Sequence, residues 1–177
     1  KSHQGDLEFK QEKIAIAVEK SDSKAGSIAA TGDVELIELS LRDIDNKEIN
    51  YIVSEHTLKI SFSLKVLKAL DDPHYGFMIR NKFGISAFET NTYSMKEKTS
   101  KVEKGQIVTV EFSFSCNLSP ANYSISIGVA NKGFDRGSFE EYLLFIQDIE
   151  MLKVIENSDA IIYDGVTNLK PVVSTTF

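Results

Sequence analysis

Cysteine is nearly absent from this chain. Cys116 is the single one in 177 residues, so no internal disulfide can form, and nothing marks an oxidising compartment. It closes an apolar alternation with Val108, Val110, Phe112 and Phe114. That pattern places it in a core rather than at a reactive surface. Long apolar runs are missing as well. None approaches the roughly 20 residues of a membrane-spanning helix, and no signal-peptide pattern is present. Excess positive charge is also lacking, with 20 Lys and Arg against 26 Asp and Glu, a net charge of -6 and a pI near 5.1. Such a balance argues against general binding to nucleic acid or to anionic membrane and leaves room for a local basic pocket.

Catalytic signatures are absent too. There is no GxSxG, no Walker A motif and no HExxH. The three histidines, His3, His56 and His74, are scattered rather than grouped as zinc ligands. Acidic pairs such as Asp71-Asp72 and Glu140-Glu141 occur, but no EF-hand spacing does. A glycosidase would need two carboxylates at a set separation across one cleft, which a sequence does not display. The chain therefore reads as a non-enzymatic domain with no cofactor of its own.

What is present is β-pattern. Hydrophobic residues make up 42% and charged residues 26%, enough apolar material for one domain with a proper core. Thr57 to Leu67 alternates, with Leu58, Ile60, Phe62, Leu64 and Val66 on one face and Lys59, Ser61, Ser63 and Lys65 on the other. That is the signature of a half-buried antiparallel strand. Val34 to Arg42, Ile107 to Cys116 and Tyr123 to Ala130 read as further strands. Glu140 to Ile155 reads as one long strand or two. Gly165 to Ser174 reads as a last strand, at an edge or a bulge because of Pro171. Asp43-Ile-Asp-Asn-Lys47 is a turn. Roughly eight strands without a convincing helix predict an all-β antiparallel sandwich of immunoglobulin-like or jelly-roll type. Residues 1–31 differ: Ile14-Ala-Ile-Ala-Val18 is a short strand or part of a helix, and Ser21 to Ser27 reads as linker. The predicted division is a 1–31 extension and a 32–177 domain.

The candidate site lies around a predicted hairpin, His74 to Tyr93, turning at Asn81-Lys82-Phe83-Gly84. Tyr75, Phe77 and Ile79 face the core, and Gly76, Met78 and Arg80 face away. Sugar recognition calls for planar hydrogen-bonding groups around an apolar or aromatic platform. The hairpin supplies His74, Arg80, Asn91, Thr92 and Tyr93. The glycine-bearing loop after Tyr123 to Ala130 supplies Asn131, Lys132, Phe134 and Arg136. These nine are the candidate ligand-binding residues.

Several stretches carry a resemblance. In order they are Gly32-Asp-Val-Glu, then Tyr75-Gly-Phe-Met-Ile-Arg-Asn, then Phe88-Glu-Thr-Asn-Thr. Lys104-Gly105 and Leu118-Ser-Pro-Ala-Asn-Tyr-Ser-Ile-Ser-Ile-Gly128 follow. Over about residues 32–170 the chain resembles the C-terminal carbohydrate-binding domain of the ATPase subunit of O-antigen polysaccharide ABC exporters, the Wzt type. Family members often have Gly where Ala121-Asn122 stands, and Asn tolerates the same left-handed turn. The resemblance implies a β-sandwich that recognises the modified non-reducing end of a finished O-polysaccharide, so that only capped chains are exported. It implies a homodimer, with C-terminal strand exchange in some members, and contact with a transmembrane exporter subunit through an ATPase domain. That domain would hold ATP and Mg, and the protein would sit in the cytoplasm at the inner face of the inner membrane. The chain starts at Lys1 rather than Met, which fits a fragment whose ATPase domain lies upstream. Caps in such systems include anionic groups, for which Arg80, Lys132 and Arg136 are the cations to hand. The alternative class is a structural or protein-interaction sandwich such as an adhesin or pilus-type subunit.

Overall fold

The computed structural model describes residues 28–176. Nine strands follow in order: β1 (Ile28–Ala30), β2 (Val34–Arg42), β3 (Tyr51–Val53), β4 (Thr57–Val66) and β5 (Pro73–Asn81), then β6 (Ser86–Asn91), β7 (Ile107–Ser115), β8 (Ala121–Phe134) and β9 (Ser138–Ile155). They form two layers. The larger sheet runs β1-β9-β8-β5-β6, with β3 also paired to β9, and the smaller runs β2-β4-β7. The predicted all-β sandwich is therefore present, with one strand more than the eight expected.

The core follows from alternation. In β4, Leu58, Ile60, Phe62, Leu64 and Val66 are all buried, because a period of two sends every second side chain to the same face. They meet Tyr75, Phe77 and Ile79 from β5 and Tyr123, Ile125, Ile127 and Val129 from β8, which are buried likewise. Phe77 sits at the centre of the packing, 4.9 Å from the Phe112 ring and 5.3 Å from the Phe114 ring, centroid to centroid. Cys116 is fully buried, as its alternation indicated, and burial pushes its thiol pKa up to about 11.

The turns carry their own chemistry. Asp43 Oδ1 accepts the backbone N–H groups of Asp45 and Lys47 at 3.0 and 2.9 Å. Asn81 Oδ1 does the same for Phe83 and Ile85 in the β5–β6 hairpin, at 3.0 and 3.1 Å. Tyr123 donates its hydroxyl to the Ser119 carbonyl at 2.9 Å, pinning the entry to β8.

Three details differ from the expected pattern. First, β1 lies inside the stretch read as extension and pairs antiparallel with Leu144–Ile146 of β9, so residues 28–30 already belong to the sheet. The Ile14 to Val18 run lies outside the described residues. Second, the sandwich is antiparallel as expected, with one short exception where β3 pairs parallel with Lys153–Ile155. Third, Gly165 to Ser174 is not a strand. Only Thr167 bridges, to Leu118, and Asn168 is held by Glu55 Oε1 at 2.5 Å. Beyond it Lys170 has φ of 51° and Pro171 has no N–H to give, so no ladder can propagate.

Candidate functional site

The outward face of the larger sheet carries a trough. Along β5 the residues pointing away from the core are His74, Gly76 and Met78. Along β8 they are Ser126, Gly128 and Ala130. The register sets His74 opposite Ala130, Gly76 opposite Gly128 and Met78 opposite Ser126. Two facing glycines remove the side chains from the middle of the sheet, and a cavity of about 350 Å³ opens over them. Gly76 is required here for a second reason. A Cβ would lie 2.8 Å from the Thr90 carbonyl oxygen and 2.9 Å from Asn91 Cβ, so β6 could not come this close.

The walls come from the flanking strands. On one side, β6 places Glu89 opposite Met78 and Asn91 opposite Gly76. On the other, β9 places Phe145 opposite Gly128 and Tyr142 opposite Ala130. An extra residue in β9 between these two pairings shifts the register, which brings both rings to the same outward face. Phe139 stands edge-on to Tyr142, with centroids 5.8 Å apart and an interplanar angle of 86°. Asn91 Oδ1 accepts the Ser94 N–H at 2.8 Å. Its amide nitrogen and the Glu89 carboxylate have no partner among the described residues. The trough thus presents a carboxylate acceptor, an amide donor and the Tyr142 phenol around an aromatic wall and a glycine floor.

One end of the trough is a locked cluster. His74 is buried, with Nε2 3.0 Å from Asp72 Oδ2 and Nδ1 3.2 Å from Thr92 Oγ1. A carboxylate only accepts, so in the neutral ring Nε2 carries the proton and Nδ1 accepts from the threonine hydroxyl. Thr92 Oγ1 also accepts the Tyr75 N–H at 3.1 Å. The Tyr93 ring packs edge-on to His74 at 5.1 Å and to Phe139 at 5.8 Å. Asn131 is buried and uses both ends of its amide, accepting from the Asp72 N–H at 3.0 Å and donating to Glu141 Oε2 at 2.6 Å. The Asn131 bond, together with Lys132, holds the Glu141 carboxyl below the usual carboxylate range.

The other end is an ion pair. Arg80 binds Asp148 through two nitrogens: Nε meets Oδ1 at 3.3 Å, and a terminal nitrogen meets Oδ2. The Ser124 hydroxyl also donates to Asp148, at 2.5 Å. Asp148 sits in a second bulge of β9 with φ of 53°, and its N–H donates to Ser126 Oγ at 2.9 Å. Burial alone would raise the carboxyl pKa of Asp148, but the hydrogen bonds from Ser124, Arg80 and Gln147 leave it below its ordinary value.

The nine predicted site residues do not form one pocket. His74 and Asn91 line the trough, and Thr92, Tyr93 and Asn131 build its closed end. Arg80 lies six residues from His74 along β5, about 20 Å at 3.3 Å per residue, and its charge is matched by Asp148. Lys132 sits 3.6 and 3.5 Å from Glu140 and Glu141, and those two charges, Glu141 first, raise its pKa. Phe134 and Arg136 are exposed on the β8–β9 turn and do not line the trough. Arg80, Lys132 and Arg136 therefore do not converge as an anion site. The sequence reading missed Glu89, Tyr142, Phe145 and the Gly76–Gly128 pair. The outward alternation of Gly76 and Gly128 was visible, but their facing required the register. Among the described residues no His, Cys, Asp and Glu group is arranged to hold a metal ion.

A second cavity, of about 470 Å³, opens where β6 and β7 leave the sandwich edge, between Phe77, Phe88, Phe112 and Phe114. It opens toward the core, and Thr90, Glu111, Ser113, Ser115, Asn117 and Thr167 also line it.

The family model for the Wzt C-terminal domain matches residues 27–169. Among solved structures, the crystal structure of the C-terminal domain of wzt superposes with a TM-score of 0.74 at 15% identity, covering 86% of this chain and 90% of that one. At that identity the likeness shows the fold. A Niemann-Pick type C2 protein from Japanese carpenter ant is similar at a TM-score of 0.48 and 9% identity, over 72% of this chain and 98% of that one. No curated protein sequence matches the chain. No helix among the described residues is long and apolar enough to cross a membrane. With the model spanning nearly all of the described residues and the same two-sheet fold beneath it, the chain belongs to the Wzt C-terminal domain family.

Proposed function

We propose that this domain is a non-catalytic carbohydrate-binding module that recognises the modified non-reducing terminus of an O-antigen polysaccharide and thereby licenses its export by an ABC transporter. The observation that carries the reading is the trough on the larger sheet. A sugar ring is a disc with polar edges and apolar C–H faces. The Phe145 and Tyr142 rings offer a wall for the C–H face. Glu89, the free Asn91 amide and the Tyr142 hydroxyl stand where edge hydroxyls would reach them. The closed end at His74 and Tyr93 suits a chain terminus better than a passing chain interior, because a polymer running through would need both ends open.

The partners follow from the same reading. An ATPase domain upstream would supply ATP and Mg and couple the domain to the transmembrane subunit, on the cytoplasmic side of the inner membrane. A homodimer with exchanged C-terminal segments is supported by the exposure of Ile162, Leu169, Val172 and Val173, each at least 84%. Apolar side chains at that exposure within one C-terminal segment favour a covering partner. A single monomeric mass in light scattering refutes the dimer.

The binding claim is tested by titration calorimetry of capped and uncapped O-polysaccharide against the wild type and Gly128→Val. A Cβ on Gly128 lies at ordinary contact distance, 3.6 Å from Phe145 Cδ2, so valine fits the strand while filling the trough. Binding of the capped chain alone, and its loss by about tenfold or more in Gly128→Val, is the expected result. Equal binding of both polymers refutes terminus recognition, and undiminished binding by the variant refutes the trough.

A further inference from the structure

The charges around the trough limit what end-group it accepts. Among the described residues no Lys or Arg lines it. Two cations on the strands that form the floor are matched: Arg80 of β5 by Asp148, and Lys132 of β8 by Glu140 and Glu141. Among the described residues the one carboxylate on the lining is Glu89, which has no partner there. An anionic end-group seated over Gly76 and Gly128 would face Glu89 with no counter-charge, and repulsion between like charges in a partly desolvated trough opposes it. The same carboxylate suits sugar hydroxyls, to which it offers charge-assisted acceptors.

The floor adds a second constraint. Gly76, Gly128, Ala130 and Ala29 leave a shallow apolar depression beside Phe145, and the floor hydroxyl on β8, Ser126 Oγ, already accepts the Asp148 N–H at 2.9 Å. A hydroxyl pressed into it would lose its water without a replacement partner, whereas a methyl group would lose only apolar contact with water. Resting on the reading of this trough as the glycan site, we propose that the end-group it selects is uncharged and carries a small apolar substituent, such as an O-methyl, an N-acetyl methyl or the methyl of a deoxy sugar. Glu89 excludes phosphate- and carboxylate-bearing termini.

The test follows the Gly76 and Gly128 backbone amides by two-dimensional NMR, which reads millimolar binding of small probes. The neutral probes are 3-O-methylglucose, N-acetylglucosamine, rhamnose and plain glucose. The anionic probes are glucuronic acid and glucose 6-phosphate. The expected result is saturable movement of both amides with the substituted neutral sugars, about fourfold tighter for 3-O-methylglucose than for glucose. Anionic probes bind at least about tenfold more weakly, and Glu89→Gln narrows that gap. If glucuronic acid or glucose 6-phosphate moves the same amides at equal or lower concentration, the proposal is overturned while the trough stands as a sugar site. If no probe moves them, the sugar-site reading falls and the proposal falls with it.

Discussion

Replacing Gly133 with alanine tests how the closed end of the trough is built. Gly133 lies in β8, paired with Phe139, at a backbone conformation any residue can adopt, so the substitution carries no penalty from φ. Its effect is steric. A Cβ there would sit 2.3 Å from Tyr93 Cδ2, 2.6 Å from Cε2 and 2.9 Å from Cγ, so the tyrosine ring rests directly on the glycine backbone. The ring cannot swing freely to make room. It is edge-on to His74 and to Phe139, and its hydroxyl donates to the Asp135 carbonyl at 3.3 Å. Displacing it forfeits two aromatic contacts, each about 0.5–1.5 kcal/mol beyond area burial. That agrees with the roughly 1–3 kcal/mol usual for overpacking a tight site.

A loss of about 2 kcal/mol is expected, or about 4–8 °C in Tm for a chain of this length. The assay is urea denaturation of the wild type, Gly133→Ala, Tyr93→Ala and the double variant. If the clash is the cause, the cost of Gly133→Ala nearly vanishes in the Tyr93→Ala background. A cost below about 0.5 kcal/mol in the wild type, or one unchanged without the Tyr93 ring, would refute the reasoning.

Tyr75 is buried, its hydroxyl has no partner among the described residues and burial pushes its pKa up to about 12, so Tyr75→Phe should raise stability by up to about 1 kcal/mol in the same denaturation assay. A loss would mean that the hydroxyl is satisfied in solution. Cys116, with its thiol pKa near 11, should resist an aromatic disulfide reagent at pH 8 and react only as fast as the domain opens; prompt stoichiometric labelling would contradict its burial. Arg80→Ala should cost about 1 kcal/mol at neutral pH, since it strips Asp148 of a partner on a partly exposed face. Asp148 has its folded pKa lowered, so its contribution is complete above the ordinary carboxylate value near 3.9 and is lost as pH falls through the lower folded value. The stability gap between wild type and Arg80→Ala should therefore close below about pH 4, and a gap that widens there would be the wrong sign.

Much of the fold was legible because alternation is a local property. The Thr57 to Leu67 pattern became β4 almost residue for residue, and the outward set of β5 was read correctly. The Asp43 and Asn81 turns were readable because their side chains satisfy backbone groups two and four residues away. The C-terminal Gly165 to Ser174 run failed for the opposite reason. Its composition is strand-like, but a strand needs an edge to pair with, and no residue pattern states whether one is free. Within the site, Arg80 looked available because its partner Asp148 is 68 positions distant, placed by a bulge that periodicity does not announce. His74 looked like a ligand contact, yet Asp72 and Thr92 occupy both of its ring nitrogens.

The bulges in β9 connect these observations. A strand of 18 residues paired without interruption would coil and keep one face inward throughout. Two register shifts against β8 break that regularity. One turns Tyr142 and Phe145 to the same outer face, which an unbroken period of two would forbid for residues three apart. The other turns Asp148 over the sheet to Arg80 and Ser124. The aromatic wall and the neutralised arginine thus share an origin in irregular pairing of one strand. Both lie on the face that the facing glycines leave open. The core beneath is unaffected, because Leu143, Ile146 and Leu152 stay buried on either side of the breaks. A trough whose walls are set by bulges can change its lining by moving a bulge one residue, while the sandwich that carries it stays the same.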